Sequence, residues 1–398
     1  MMAVEFQTGL EQCLRQPPPV LQGKRLGVLM NQASVDARLG YACDCLAAQG
    51  VGPLTALFSP QHGMWGEQQA NMIESAHERY APLGLPVYSL YSETRRPTAE
   101  MLSQIDCLLI DLQDVGTRVY TFVWTMLECL RACAEAGLPV VLLDRPNPIG
   151  GEAFEGPLLS PGFESFVGNA AIPLRHGLTP GELARLLVAE MGIAVELHIV
   201  PLQGWQRRDY FSDLPRQWVW PSPNMPTLHS AVVYPGQVLL EGTNLSEGRG
   251  TTQPFELFGA PFLDPYLLLR ELQRWEHPGL CLRPLRFCPT FDKWAGQRCG
   301  GLGLHIVDER AVRSVRTTVM ILAAAAKLAP EHFAWLPPPY EYEYHKPPID
   351  ILFGSAALRK FIDSVRQGAE LDAAAMESLL RWDAAAWQTR IEPYLLYD

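Results

Sequence analysis

The chain has 398 residues, of which 48% are hydrophobic and 19% are charged, and its formal net charge is −11. This is the composition of a globular protein with a sizeable core, and the length predicts two domains or one large domain with an appendage. No basic stretch offsets the negative charge, so nucleic acid is not an expected partner, because phosphate binding needs clustered Lys and Arg.

The amino-terminal segment, residues 1–19, carries Glu5 and Glu11 and has no apolar run. A secretory signal needs an uninterrupted apolar core, so this segment does not resemble one. The longest apolar stretch, residues 319–326, is too short to span a bilayer, and we expect no membrane partner. The nine cysteines form no C-x-x-C pair, and most lie in apolar segments, which is typical of reduced core thiols. We therefore expect a cytoplasmic protein.

Short apolar runs in the first half predict buried strands at residues 25–30, 54–58, 87–91, 107–112 and 139–144. Helical spacing predicts a helix over residues 120–136, which should end at Gly137. A second helix, over residues 179–191, should begin with a capping box, since Thr179 is followed three positions later by Glu182. Alternating strands and helices predict an α/β fold with a Rossmann-like, mostly parallel sheet.

Polar loops follow three of these predicted strands, at residues 59–63, 113–118 and 144–148. In parallel sheets, ligands bind beyond the carboxyl ends of the strands, where these loops should meet. The alternative for any single loop is a capped turn, because Asp, Asn, Gly and Pro are turn residues. Three such loops on one edge favour a binding site.

The middle of the chain is rich in Pro and Gly, and residues 241–252 place carboxylate, amide, hydroxyl and guanidinium groups between glycines. This pattern predicts a binding loop, with a flexible linker as the alternative. The last third changes to helices at 311–328 and 356–366 and strands at 283–289 and 303–307. We expect a Rossmann-like domain over 1–260 and a smaller α+β domain over 261–398, with the Tyr-rich connector 340–344 as a loop over the surface.

Several chemistries lack their sequence patterns. The chain has no Walker phosphate loop, no G-x-G-x-x-G after its first strand, no H-E-x-x-H and no G-x-S-x-G. We therefore expect no metal and no nucleotide cofactor. The remaining loop carboxylates, amides, arginines and histidines suit sugar recognition and general acid–base catalysis.

These same loops carry a family resemblance, through the runs FSPQHG, DLQDVGTRVYTF, LDRPNPIGG, IPLRHGLTPGELA, WPSPNMPT and LEGTNLSEGRGTTQPFELFGAPF. From about Gly23 to the C-terminal YLLY, the chain resembles the NamZ-type exo-β-N-acetylmuramidases. The resemblance implies a hydrolase that removes N-acetylmuramic acid from the non-reducing end of peptidoglycan fragments. It also implies a Rossmann-like domain, a smaller C-terminal domain, a site in the cleft between them, and no metal or nucleotide.

One residue departs from the family pattern. Family members commonly carry Glu in a P-E-H-G block, where this chain has Gln61. Glutamine cannot transfer a proton near neutral pH, so if that Glu is a catalytic acid in relatives, this chain must use another group or has changed function. The departure keeps open a non-catalytic muropeptide-binding protein, and a hydrolase of another acylated amino sugar is a third interpretation.

Glycoside hydrolysis needs two groups that flank the bond, an acid and a base or nucleophile. The candidates for them are Glu155, Glu241, Glu247 and His62. Arginines that could bind the lactyl carboxylate of muramic acid are Arg118, Arg145 and, as first choice, Arg249; the alternative for each is an ion pair with Asp111, Asp114 or Asp144. The further candidates for substrate binding are Gln61, Asp114, Asp144, Asn147, His176, Asn224 and Asn244. The sequence indicates no oligomeric state.

Overall fold

The structure is a computed structural model that describes residues 5–69 and 72–398. The strands of its larger sheet are β1 Leu26–Met30, β2 Leu54–Ser59, β3 Glu78–Tyr80, β4 Leu85–Ser89, β5 Cys107–Asp111, β6 Val140–Leu143 and β7 Leu197–Val200. They lie in the order β3-β4-β2-β1-β5-β6-β7. Neighbouring strands are parallel except for β3 and β4.

Helices cover this sheet, and their ends follow the predicted signals. They are α1 Gly9–Arg15, α2 Ala42–Gln49, α3 Ala99–Leu102, α4 Phe122–Ala136 and α5 Pro180–Glu190. Helix α4 ends at Gly137, whose φ of 66° is left-handed and suits glycine. Helix α5 begins with the predicted capping box between Thr179 and Glu182.

A smaller antiparallel sheet lies in the second half of the chain. Its strands are β8 Leu257–Ala260, β9 Leu280–Phe287 and β10 Cys299–Ile306, in the order β8-β10-β9. Its helices are α6 Leu228–Gln237, α7 Pro265–Leu272, α8 Ser314–Leu328, α9 Pro348–Phe353, α10 Ala357–Arg366, α11 Ala373–Leu380 and α12 Ala384–Ile391. Short 3-10 helices occur at Pro19–Leu21, Phe211–Asp213, Val238–Gly242 and Glu392–Tyr394.

One hydrophobic core joins the two sheets. It contains Phe58 from β2 and Leu108 from β5 together with Phe258 from β8 and Leu302 from β10. Apolar side chains from both sheets are thus withdrawn from water in one cluster, which holds the two parts against each other. The division at about residue 260 stays a prediction.

Helix α6 positions the segment that enters the site. It packs closely against α8, because Gly236 has no side chain: a Cβ there would lie 2.0 Å from the Ser314 carbonyl oxygen. The chain then continues directly into the 3-10 helix Val238–Gly242, which carries Glu241. The close contact between α6 and α8 therefore fixes the position of the 3-10 helix that carries Glu241.

The prediction that connector 340–344 is a surface loop is wrong for two of its residues. Tyr340 and Glu341 are only 7% and 2% exposed, whereas Tyr342 and Tyr344 are exposed. The physical reason is that the two buried residues find polar partners inside the protein. Tyr340 donates its hydroxyl hydrogen to Glu241, and Glu341 accepts a hydrogen bond from Gln61.

Among the described residues, no helix is both long and apolar enough to cross a membrane. All nine cysteines are in the free thiol form. Most of them are buried, as predicted from the apolar segments in which they occur.

Candidate functional site

A polar cavity lies beyond the carboxyl ends of β2 and β5, where loops from both halves of the chain meet. It holds about 390 Å3 of empty space, part of which is open to solvent. Its polar lining comes from the loop after β2, the loop after β5, the segment 222–225 and the second half of the chain: Gln61, His62, Tyr120, Thr121, Ser222, Asn224, Tyr234, Glu241, Arg249, Tyr340 and Glu341. The cavity therefore lies at the sheet edge where parallel sheets bind ligands.

Glu241 has a cationic partner in this cavity. The Arg249 Nη2 atom donates to Glu241 Oε1 at 2.8 Å, and the Tyr340 hydroxyl donates to the other carboxylate oxygen. Burial alone would lower the pKa of Arg249, but the charges of Glu241 and Glu247 outweigh it and raise that pKa. The guanidinium is therefore charged, and it balances a buried carboxylate that lines the cavity.

Glu247 lies behind Arg249 and completes an ion-pair network. Its carboxylate is 3.2 Å from Arg249 Nε and 2.8 Å from Lys293 Nζ. Burial acts to raise the pKa of Glu247, but Lys293 and Arg249 outweigh it and the pKa is lowered. Arg249 Nη1 is buried and has no hydrogen-bond partner among the described residues. That N–H group is therefore available to a ligand, because a buried donor without an acceptor costs free energy.

Glu341 has different surroundings. Its Oε1 accepts a hydrogen bond from Gln61 Nε2 at 3.0 Å, and its Oε2 accepts one from the Tyr91 hydroxyl at 2.6 Å. Among the described residues, no Lys or Arg forms an ion pair with it. Burial raises the pKa of Glu341 to about 7, with a smaller contribution from the charge of Glu241 and against the hydrogen bonds from Tyr91 and Gln61. The carboxyl group thus changes protonation near neutral pH.

Gln61 and His62 are both oriented by the protein. The Gln61 Oε1 atom accepts from the Thr121 hydroxyl at 2.6 Å, which directs the amide nitrogen to Glu341. His62 Nδ1 lies 2.7 Å from the Gln68 carbonyl oxygen, so Nδ1 carries the hydrogen and Nε2 is an acceptor. Burial lowers the pKa of His62 to about 4, and the imidazole is neutral at physiological pH.

Comparison with known proteins identifies the family. The model for exo-β-N-acetylmuramidase NamZ, N-terminal, matches residues 26–229, and the model for the C-terminal part matches residues 232–397. The peptidoglycan β-N-acetylmuramidase NamZ of Bacillus subtilis (strain 168) is 44% identical over 332 residues, which are 83% of this chain and 80% of that relative. The chain belongs to the NamZ family of exo-β-N-acetylmuramidases.

The NamZ fold also agrees with solved structures. A DUF1343 family protein from Bacteroides fragilis NCTC 9343 superposes with a TM-score of 0.88 at 32% identity, and the match covers 99% of both chains. A second such protein from the same organism gives a TM-score of 0.76 at 25% identity, again over 99% of both chains. The predicted α/β architecture, a Rossmann-like sheet with a smaller second part, is confirmed.

The structure brings five of the predicted site residues to the cavity of this NamZ-family chain. They are Gln61, His62, Asn224, Glu241 and Arg249. A sixth, Glu247, stands one residue behind the cavity through its ion pair with Arg249. The binding loop predicted over 241–252 accounts for three of these six, and the loop after β2 accounts for two.

Glu155 does not line this cavity. Its Oε2 accepts a hydrogen bond from Val315 N at 3.1 Å, at the first turn of α8, and its Oε1 is 3.5 Å from Arg175 Nη1. A carboxylate at a helix N-terminus satisfies backbone donors that the helix leaves unpaired. We therefore assign Glu155 to the attachment of α8 and leave it out of the proposed catalytic groups.

Two of the arginines predicted to bind the substrate instead contact other groups of the protein. Arg145 forms a two-pronged ion pair with Asp111, in which Nη2 lies 2.8 Å from Oδ2 and Nε contacts Oδ1. Arg118 is fully buried and donates to the carbonyl oxygens of Pro157, Ile172 and Leu352. The alternative of internal pairing with an aspartate thus holds for Arg145, whereas Arg118 binds backbone oxygens instead.

Asp144 and Asn147 hold loops together outside the cavity. Asp144 accepts hydrogen bonds from the hydroxyls of Thr179 and Tyr397 and from the backbone N–H groups of Arg145 and Gly181. Asn147 makes an Asx turn: its Oδ1 accepts from Ile149 N, and its Nδ2 donates to the Leu178 carbonyl. The contacts of Asp144 and Asn147 thus agree with the capped-turn alternative to ligand binding.

The remaining three predicted ligands are also outside the cavity. Asp114 Oδ2 accepts from Gly116 N at 2.7 Å, and His176 Nε2 lies 3.6 Å from that same oxygen. Asn244 accepts from Ala334 N and donates to the His332 carbonyl, so it ties two loops together.

Sequence reasoning missed Tyr340 and Glu341 as cavity residues, and Tyr91 as the hydrogen-bond partner of Glu341. All three come from segments that it assigned to a surface connector or to a strand. The available signal was a carboxylate within a tyrosine run, between the proline groups 337–339 and 347–348. Prolines restrict the backbone on both sides, so a connector of this kind holds a fixed shape.

Proposed function

We propose that this chain removes a terminal β-linked N-acetylmuramic acid from the non-reducing end of peptidoglycan fragments, in the cavity described above. The observation that carries the proposal is a pair of buried carboxyl groups on one cavity, of which Glu241 has a cationic partner and Glu341 has none within residues 5–69 and 72–398. Surroundings that differ in this way separate an acid from a base, as glycoside hydrolysis requires. Membership of the NamZ family supports the reaction class.

Glu241 is our candidate for the base or nucleophile. The Arg249 guanidinium contacts its carboxylate at 2.8 Å, and a carboxylate can take a proton from water or attack the anomeric carbon. Glu247 supports Arg249 from behind, and neutral His62 offers an acceptor to a sugar hydroxyl. Asn224 donates its amide to the Gln69 carbonyl, which leaves its oxygen to a hydroxyl or acetamido group.

The cavity suits one terminal sugar. Loops from both halves of the chain enclose it, and connector residues Tyr340 and Glu341 form part of its wall. A site walled by loops from both halves of the chain suits the end of a glycan chain and not its middle, which supports release of single sugars.

We predict that Arg249 reads the lactyl carboxylate, since its buried Nη1 has no partner among the described residues. The wild type should prefer a muramic acid substrate over the same substrate with a neutral lactyl amide by roughly 30-fold or more in kcat/KM, because a buried charge pair is worth about 2–5 kcal/mol. Arg249→Lys keeps the charge but loses the planar fork, and most of that preference should disappear.

The ratio of the two substrates isolates this role, because Arg249 also holds Glu241 and its replacement will slow both reactions. Arg25→Lys, at an exposed ion pair with Asp106, is the control and should leave the ratio unchanged. An Arg249→Lys enzyme that keeps the full preference for the carboxylate would assign lactyl recognition to another residue.

A second candidate function is binding of muropeptides without cleavage, and Gln61 is the observation that favours it. Its amide is fixed between Thr121 and Glu341 and can hold a sugar group but cannot transfer a proton. The two functions are separated by incubating the protein with the disaccharide that carries N-acetylmuramic acid at its non-reducing end. An enzyme releases both free sugars, and the isomer that carries glucosamine at that end tests whether the muramic acid is what it recognises.

We also propose a cytoplasmic location and a role in the salvage of imported cell-wall fragments. The nine free thiols support it, since exposed thiols such as Cys281 and Cys288 persist in a reducing compartment. Fractionation of the native cells should recover the protein with the cytoplasmic markers. Recovery from the periplasm or the culture fluid would count against this location.

A further inference from the structure

Glu341 is a cavity carboxyl group without a cationic partner among the described residues, and it lies next to Gln61. We infer that Glu341 is the general acid that donates a proton to the glycosidic oxygen of the substrate. The inference rests on the proposed function and names the group that performs one of its two chemical roles. It explains how a chain with an amide at position 61 can still cleave a glycosidic bond.

The hydrogen bonds of Glu341 fix the position of its carboxyl group. Gln61 Nε2 and the Tyr91 hydroxyl each approach a different carboxyl oxygen, at 3.0 and 2.6 Å. The Thr121 hydroxyl fixes the orientation of the Gln61 amide, so the contact cannot be reversed by a simple amide flip without the loss of that bond. Glu341 is therefore held in one position, which general acid catalysis requires.

Burial keeps the proton of Glu341 available near neutral pH, and the neighbouring groups add to this effect or oppose it. The charged and titratable groups around it are Tyr91 and Arg95 from the segment after β4, Tyr234 from α6, Glu241 from the 3-10 helix before the binding loop, Tyr340 from the connector, and His62 and Arg249 from the cavity lining. Burial and the charge of Glu241 raise the pKa of Glu341, while the more distant Arg95 lowers it. Glu247, in contrast, has two cations in direct contact and cannot hold a proton under the same conditions.

The backbone of the connector is shaped to place this side chain. Glu341 and Tyr342 have φ angles of 45° and 65°, in the left-handed region that non-glycine residues rarely adopt. Tyr340 and Glu343 close this turn with two backbone hydrogen bonds of 3.0 and 2.9 Å. Strained residues persist only where the surroundings determine them, and they concentrate at functional sites.

Arg95 fixes the connector from outside. Its guanidinium carbon lies 4.4 Å from the centre of the Tyr91 ring and 3.7 Å from that of the Tyr342 ring. These cation–π contacts connect Tyr342, which follows Glu341 in the chain, to Tyr91, which donates a hydrogen bond to Glu341. The carboxyl group is thus positioned by its own neighbours on both sides.

The chemical step balances with water as the second reactant. The O–H bond of Glu341 breaks as an O–H bond forms on the glycosidic oxygen, and the electron pair of the C1–O bond leaves with that oxygen. The oxygen of a water molecule replaces it on the anomeric carbon. The proton that this water loses passes to a carboxylate of the cavity and then to solvent, and one proton returned by solvent to the Glu341 carboxylate restores its acid form.

A comparison of leaving groups tests this role. Glu341→Gln keeps the size of the side chain but removes the transferable proton, so kcat on the muramic acid disaccharide should fall by about 10²- to 10⁴-fold. On the 4-nitrophenyl β-glycoside of N-acetylmuramic acid, whose leaving group needs little protonation, the loss should be less than about 10-fold. The wild-type rate should also fall as the pH rises above about 7, where Glu341 loses its proton, and the variant should lack this decline.

Glu343→Gln is the matched control, because Glu343 lies two residues away in the same connector and binds Lys346 rather than the cavity. It should keep nearly full activity on both substrates. Equal losses on the two substrates in Glu341→Gln would show a positioning role and overturn the inference, and so would an unaffected rate on the disaccharide. A wild type that cleaves neither substrate would instead contradict the proposed function.

Discussion

The Glu241→Gln variant should lose activity on the muramic acid disaccharide by about 10³-fold or more in kcat, with little change in the overall fold. Glutamine can still accept a hydrogen bond from Arg249 through its oxygen, and its amide nitrogen can donate to the Tyr340 hydroxyl, so the cavity keeps its shape. It cannot act as a base or as a nucleophile, and removal of such a group costs about 10²- to 10⁴-fold or more. Single-turnover rates with circular dichroism of the same sample measure both quantities.

Glu247→Gln is the matched control for the Glu241→Gln variant. Glu247 is equally buried and also binds Arg249, but it lies behind that residue and not on the cavity. We expect a loss of about 10-fold at most, because a weakened Arg249 still contacts Glu241. If Glu247→Gln abolished the reaction and Glu241→Gln did not, the base or nucleophile would have to be assigned to Glu247.

The largest predicted effect on stability is at Asp111, which is fully buried at the end of β5. Asp111→Asn leaves the guanidinium of Arg145 in the interior without its counter-charge. Breaking a buried ion pair from one side costs about 3–5 kcal/mol, so the urea midpoint of unfolding should fall markedly. Asp106→Asn, at the exposed ion pair with Arg25, is the control and should change the midpoint far less.

A double variant tests whether the loss of stability comes from the unpaired charge of Arg145. In Asp111→Leu/Arg145→Met, both charges leave together, so no uncompensated charge remains. This variant should recover a large part of the stability that Asp111→Asn loses. A midpoint for Asp111→Asn that matches the wild type would show that Arg145 has another partner in solution, and would reopen its assignment as a substrate ligand.

The fold could be predicted to the extent that strands are continuously apolar. The run that became β5 Cys107–Asp111 is buried along its whole length and was predicted within one residue. The edge strands β3 Glu78–Tyr80 and β7 Leu197–Val200 were not predicted, because they are only three and four residues long and are mostly half-buried or exposed. Short edge strands depend on the neighbours that they pair with, which periodicity does not reveal.

Residues of the site could be predicted only where their functional groups lie close together in the sequence. The loop that carries Glu241 and Arg249 shows its polar groups and glycines within twelve residues, and both residues line the cavity. Arg145 and Arg118 looked the same in sequence, yet distant residues take up their donors. Glu341 contacts Gln61 across 280 positions of the chain, and only the tertiary structure brings the two together.

The most direct test of the account is a time course of sugar release from the muramic acid disaccharide by the wild type and by the Glu241→Gln/Glu341→Gln double variant. The wild type should release both free sugars in equal amounts over many turnovers, even though residue 61 is glutamine. The double variant should bind the disaccharide, as calorimetry would detect, and release neither sugar. A wild type that binds the disaccharide but does not turn it over would contradict the account and leave a muropeptide-binding protein.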